Sequence, residues 1–323
     1  MDETPVPITS TTDPSGFVHP FRDWPSTPPD RYSGQLTPEF QRRMADEHAA
    51  LVRDDCDWYH TTVLSDGTTV HGQWDLRGNE SAYLGETPLR DRRVLEFGPA
   101  SGYLTFWMER QGAEVTSFEA GYDAAFELLP PLDGTDAREA QVNLMRHIGR
   151  INNSWWFHHR ELHSSARIAY GDIYNVPEDL GRYDTSFFGC ILLHLRDPFR
   201  ALHQAAAHTD HTIVVTDNVY PGLEDPDDPV LRFGMEVENR GPSVRWWDLS
   251  PGAVTRMLWR LGFERTRLIH HTQRFEVPDP PADIRLFTIV AERPVADSGT
   301  PGRFRRALRR IGRDRTPAHD SPT

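Results

Sequence analysis

The chain has 323 residues and a formal net charge of −13, long enough to bury the core of one large α/β domain with extensions. That acidity argues against a broad nucleic-acid surface, which depends on neutralising phosphates, and all 35 basic residues are arginine. Cys56 and Cys190 are too few for a disulfide framework, no apolar run approaches the ~20 residues of a membrane span, and the acidic, proline-bearing start is unlike a secretory leader. A reducing, cytoplasmic setting is expected.

Residues 1–35 carry seven prolines, from Pro5 to Pro29, and read as extended or disordered because each Pro fixes φ and removes a backbone donor. Residues 36–90 read as a cap of one helix and a hairpin. Thr37-Pro38-Glu39 starts the helix, with Phe40, Met44, Leu51 and Val52 on one face. Ser65-Asp66-Gly67 then turns a hairpin between 58–64 and 68–72. From 91 to 293 strand and helix alternate, the pattern of a doubly wound, Rossmann-like sheet. Its expected strands are 93–97, 113–119, 166–173, 184–191 and 212–217. The expected helices are 102–111, a stripe through Leu144, Ile148, Ile151 and Trp155, and 198–208. The Pro-, Gly- and Asp-rich stretch 220–248 reads as a lid or insertion. A helix over 250–261 ends at Gly262, and two late strands, 265–275 and 284–291, close the domain. The tail, 294–323, is basic and reads as a flexible end. Its arginines, from Arg303 to Arg315, with Phe304, Leu308 and Ile311, read as a solvated end before a surface-binding helix.

The chemistry is concentrated where Val94-Leu95-Glu96-Phe97-Gly98-Pro99-Ala100-Ser101-Gly102 carries a strand through a short turn into a helix. Lack of side chains at Gly98 and Gly102 lets backbone approach a ligand at the carboxyl end of the sheet. Glu119 ends the second strand 21 residues beyond Gly98, where a carboxylate can accept from both hydroxyls of a ribose. Asp172, ending the third strand, is set for an adenine amino group, with Ile173 beside it to pack on the ring. A dinucleotide site would want glycine at position 100 and no acid near its diphosphate. Ala100, the stiff Pro99 and Glu96 disfavour it and suit a ligand carrying an ammonium and a sulfonium.

On these residues the chain resembles the class I S-adenosylmethionine-dependent methyltransferases over roughly residues 55–293. Glu96-Phe97-Gly98-Pro99-Ala100-Ser101-Gly102 is similar to that family's E/D-x-G-x-x-x-G loop, and the run Tyr183 to Pro198 to its segment at the fourth strand. The resemblance implies S-adenosylmethionine as cofactor, with Gly98–Gly102 under its methionine part, Glu119 on the ribose and Asp172 with Ile173 at the adenine. It also implies that backbone near Gly189 and Cys190 faces the transferring methyl, and that an antiparallel hairpin is appended to the parallel sheet. Leu-His before Asp-Pro is similar to the tRNA wobble-uridine carboxymethyltransferases. That branch, however, has Tyr where Leu193 stands and a lysine that this chain lacks. Ordinary S-adenosylmethionine and a small-molecule acceptor, a specialised metabolite or sugar, are therefore expected, with an RNA acceptor or a non-catalytic adenosine-binding module as alternatives.

On the acceptor side, His194 is the expected base, since imidazole titrates near neutrality; orienting a loop is its competing role. Asp217 and Glu236 are weaker candidates. Tyr59 and His60 are expected to cover the cleft, and Trp246 and Trp247 to wall an acceptor pocket, as Trp155 and Trp156 would if they are not core. Arg245 suits an anionic acceptor or plain exposure. No metal is expected: in His158-His159-Arg160-Glu161-Leu162-His163 the acid stands two residues after the second histidine, unlike a zincin helix.

Overall fold

The computed structural model describes residues 33–121, 126–234, 240–277 and 280–294. All elements below belong to a unit that ends at Arg293; of the expected extended segment 1–35 only 33–35 are described, as a turn with Gln35 buried, and of the tail 294–323 all but Pro294 lies outside the described residues.

Helix α1 (Pro38–Glu47) is capped by Thr37, whose Oγ1 accepts from the Phe40 N–H at 3.3 Å. It ends before Leu51 and Val52, so the expected apolar face is shorter, and Val52 is exposed. A different interaction holds this segment down. Gln35 exchanges hydrogen bonds with the Tyr170 main chain (2.7 and 2.8 Å), and Gln41 with that of Ile168 (2.7 and 3.2 Å). Two side-chain carboxamides thus occupy the open edge of the sheet, where unpaired backbone would otherwise invite association.

The hairpin at Asp66-Gly67 is small: β1 (Thr62–Val63) pairs with β2 (Thr69–Val70). Two short pieces without a clear sequence signature follow, β3 (Trp74–Asp75) and α2 (Glu80–Tyr83). The alternating region gives β4 (Arg93–Phe97), α3 (Tyr103–Arg110), β5 (Glu114–Glu119), α4 (Ala137–Glu161), β6 (Arg167–Tyr170), β7 (Tyr183–Gly189), α5 (Pro198–His208) and β8 (Thr209–Asn218). Inside 220–248 lies β9 (Leu231–Phe233), which pairs with β10 (Trp247–Leu249), so part of the expected lid is a hairpin. The domain closes with α6 (Pro251–Arg260), β11 (Arg265–Phe275) and β12 (Ala282–Glu292).

The large sheet runs β3-β11-β12-β8-β7-β4-β5-β6. β6, β5, β4, β7 and β8 are mutually parallel, β12 is antiparallel to β8, and β11 is antiparallel to β12. This is the Rossmann-like sheet with the antiparallel hairpin that the resemblance implied. The order turns at β4, whose neighbours β5 and β7 lie on opposite sides, and a crevice opens there at the carboxyl ends. Alternation along β4 feeds both layers: Val94 packs with Leu104 and Trp155 of α3 and α4, while Leu95 and Phe97 pack with Leu202 of α5 and Val254 of α6. Among the described residues no helix is long and apolar enough to cross a membrane.

Candidate cofactor and acceptor site

The first loop takes three left-handed residues in five, Gly98 (φ 70°), Ala100 (φ 48°) and Gly102 (φ 82°). At Gly98 a Cβ would come within 2.7 Å of the Ile191 side chain; at Gly102 it would meet Phe106 at 2.5 Å and Trp155 at 2.8 Å. Glycine is therefore required by both backbone and packing. Trp155 is fully buried and Trp156 nearly so, the latter donating to the Tyr170 hydroxyl at 2.8 Å. Both belong to the buried core with Phe106 of α3 and Ile168 of β6, the core role weighed for them against a pocket wall.

Glu119 joins three strand tips. Its Oε2 accepts from the Ala100 N–H of the loop (3.2 Å), its Oε1 from Ala120 N–H (2.7 Å), and its main-chain oxygen from Gly171 N–H beyond β6 (2.9 Å). Burial raises its pKa against those two N–H bonds. Glu96, below the loop, is 5% exposed and accepts from Thr105 and from Ser117 Oγ (3.2 Å). Burial pushes its carboxyl up to about 7. The full negative charge expected of Glu96 is therefore reduced at neutral pH, and the case against a diphosphate rests on Pro99 and Ala100.

Asp172 does not end a strand. β6 stops at Tyr170, and Asp172 lies in the following turn, with Oδ1 accepting from Tyr174 N–H (2.8 Å) and Oδ2 from Asn175 Nδ2 (2.6 Å). Asx hydrogen bonding stops the strand early. Ile173 is half-buried against the core.

Across the crevice Gly189 ends β7 under the Tyr83 hydroxyl, 2.7 Å from where a Cβ would sit. Cys190 follows at φ 52°, its N–H donating to the Thr216 carbonyl (2.8 Å), and burial raises its thiol. Gly98, Glu96, Gly189, Tyr83 and Thr216 line one small cavity between β4, β7 and β8.

The segment ahead of the domain reaches the same loop. His60 N–H donates to Ser101 Oγ at 3.1 Å, and its ring, 7% exposed, packs edge-on to Tyr59 with no partner at Nδ1. Burial lowers its pKa to about 3, so the ring is neutral. His158 Nδ1 donates to the Ser101 carbonyl (3.4 Å), and its Nε2 accepts from the Thr62 hydroxyl (3.2 Å), a structural bridge. No three His, Cys, Asp or Glu side chains converge among the described residues.

His194 follows β7 in a 3₁₀ turn. Nδ1 donates to the Val244 carbonyl at 3.1 Å, which leaves Nε2 as the acceptor; burial lowers its pKa. Trp246 donates from its main chain to Leu193 O (2.8 Å) and from Nε1 to Glu127 O (2.7 Å), and Trp247 Nε1 donates to Arg196 O (3.2 Å). Phe233 stands edge-on to both indoles. Arg245 is neither plainly exposed nor turned to an anionic acceptor: its Nε donates to Asp248 Oδ1 (2.9 Å), and its guanidinium stacks on Tyr220 at 4.7 Å. Asp217 is fully buried at the tip of β8, its Oδ1 accepting from Asn218 N–H and its Oδ2 without a partner; burial pushes it up to about 7. Glu236 lies outside the described residues.

Sequence reasoning passed over Tyr83, Glu127 and Asn152. Asn152 alone carried a signal, a carboxamide beside Ile151 on the otherwise apolar stripe of α4.

No family model and no curated protein matches the chain. It is similar to several solved structures. The N-terminal domain of EvdMO1, determined with SAH and D-fucose, is 18% identical at a TM-score of 0.41, covering 79% of this chain and 96% of that one. A Pyrococcus horikoshii protein assigned provisionally as an RNA methyltransferase is 11% identical at a TM-score of 0.45, covering 79% and 98%. The 1,6-didemethyltoxoflavin-N1-methyltransferase of Burkholderia thailandensis, with its substrate and S-adenosylhomocysteine, is 14% identical at 0.40, covering 68% and 82%. The order and direction of the strands, not these scores, define the fold.

Proposed function

We propose that the chain is an S-adenosylmethionine-dependent methyltransferase acting on a small-molecule acceptor, a specialised metabolite or sugar, at O, N or C. The observation that carries this reading is the union of three strand tips on Glu119: the loop through Ala100, its own strand, and the turn before Asp172 through Gly171. An acid beside a glycine-cornered loop suits a ribose above a ligand without a diphosphate.

The residues fit that cofactor. At Gly98 a Cβ would meet Ile191 and at Gly189 the Tyr83 ring, so both corners need bare backbone, and Glu119 offers carboxylate oxygens at the tip of the neighbouring strand. Gly98, Pro99, Ala100 and Gly102 would hold the methionine part, with Glu96 beneath them. Glu119 would hold the ribose, Asp172 and Ile173 the adenine, and Gly189 and Cys190 the side from which the methyl leaves. The cofactor supplies a methyl activated by a sulfonium leaving group. The chain's part is orientation and exclusion of water, the main sources of acceleration for an in-line displacement. Tyr59 and His60 cover the loop. Trp246 and Trp247 border the acceptor, and His194 meets it through Nε2, the ring atom able to take a hydrogen bond or a proton.

Calorimetry with S-adenosylmethionine and S-adenosylhomocysteine, then labelled-methyl transfer into native extract read by mass spectrometry, tests the reading. Saturable binding and a labelled metabolite are expected. Absence of binding, or label entering only tRNA, would overturn the cofactor or the acceptor class respectively.

A further inference from the structure

Asn152 is fully buried on α4, three residues before the Trp155 that packs on Gly102. Its Nδ2 donates to the Ala120 carbonyl at 3.2 Å, while its Oδ1 has no hydrogen-bond partner. Ala120 is the residue whose N–H Glu119 Oε1 accepts, at 2.7 Å. One residue, Ala120, therefore separates an acid with ordered oxygens from a carboxamide oxygen with nothing to accept. Buried polar atoms are almost always paired, and this exception lies one residue from the carboxylate of Glu119. The carboxamide cannot rotate to relieve Oδ1 without giving up its bond to Ala120.

Resting on the methyltransferase reading, we infer that Asn152 Oδ1 accepts a hydrogen bond from a ribose hydroxyl of the adenosyl cofactor, completing with Glu119 a two-residue grip on the diol. The tip is closed on itself through the Glu119–Ala100 bond. A ribose that takes over Glu119 Oε2 displaces the Ala100 bond, and its second hydroxyl is the donor assigned to Asn152 Oδ1. Glu119 binds as an anion or an acid, whereas Asn152 is neutral at every pH. Asn152 is thus a selectivity device for hydroxyl over hydrogen at that carbon, because a deoxyribose would leave Oδ1 buried and unpaired.

The test is a cycle in calorimetry: wild type and Asn152→Leu, each with S-adenosylhomocysteine and with its 2′-deoxy and 3′-deoxy analogues. Leucine matches the carboxamide in size and removes the orphaned oxygen together with the Nδ2 donor to Ala120, the latter a loss common to all three ligands. Asn152→Leu is expected to weaken S-adenosylhomocysteine about tenfold, the scale of one neutral hydrogen bond, and to bind one deoxy analogue within about twofold of wild type. Should Asn152→Leu not fold, Asn152→Ser is read in the same cycle. Equal losses for the parent ligand and both analogues would assign Asn152 to packing alone and overturn the inference. A wild-type chain that binds none of the three would instead overturn the methyltransferase reading beneath it.

Discussion

The two halves of the crevice are built by opposite means. On the side of β4, β5 and β6 the chemistry is carried by main-chain N–H groups of a loop, a strand end and a turn, all joined to Glu119. On the side of β7 and β8 it comes from remote segments, with Tyr83 over Gly189, Val244 on His194, and Trp246 reaching Leu193 and Glu127. A half made of backbone tolerates few residues at its corners. A half made of side chains can change its ligand by substitution while the sheet stays intact. The difference is what the proposed methyltransferase would require, one half for its cofactor and one for its acceptor.

Variants can break that comparison. Gly98→Arg should abolish S-adenosylhomocysteine binding in calorimetry, a loss of roughly a thousandfold or more, with the far-ultraviolet spectrum preserved; φ is 70° there and the Ile191 side chain lies 2.7 Å from where a Cβ would sit. Trp155→Ala removes a fully buried ring behind the loop and should cost about 3–5 kcal/mol in urea unfolding.

Asp217 gives a pH signature from the other half. Its folded pKa is about 7 against an ordinary 3.8, so the folded chain holds more protons between those values and stability falls as pH rises through that window. Asp217→Asn should flatten that decline by an amount on the order of 2–4 kcal/mol. Urea midpoints taken from pH 4 to 8 read it, and an unchanged slope would remove Asp217 as its source. Glu96, also raised to about 7, contributes a decline of the same sign that persists in the variant.

His194→Ala should lower turnover about a hundredfold while cofactor affinity stays within twofold. Equal losses in both would place His194 on the cofactor side. The smallest effect is expected at Asp172→Ala, about tenfold in cofactor affinity, because both carboxylate oxygens already serve the turn. Complete loss of binding there would show that the turn itself carries the site.

Much of this was legible in one dimension. The β11 strand was read to the residue, and β4, α3, α5 and α6 to within a residue or so at either end, because apolar periodicity and caps such as Asp197-Pro198 and Ser250-Pro251 act over a few positions. The loop from Gly98 to Gly102 was legible because its backbone needs glycine whatever surrounds it. Asp172 was misread as a strand end because its Asx turn competes with the ladder over only two residues. β3, α2, β9 and β10 escaped notice because two to four residues carry no measurable period.

The sequence by itself determined the alternation of strand and helix, the glycine-cornered loop and the spacing from it to Glu119, since each depends on neighbours in the chain. Tertiary structure alone decided which polar atoms were left without partners and which were consumed. Arg245 is spent on Asp248 and Tyr220, Gln35 and Gln41 on the edge of β6, while Asn152 Oδ1 and Asp217 Oδ2 are left over. The physical reason is that hydrogen bonds and desolvation are settled by atoms close in space, and the chain brings those together only once the sheet has formed.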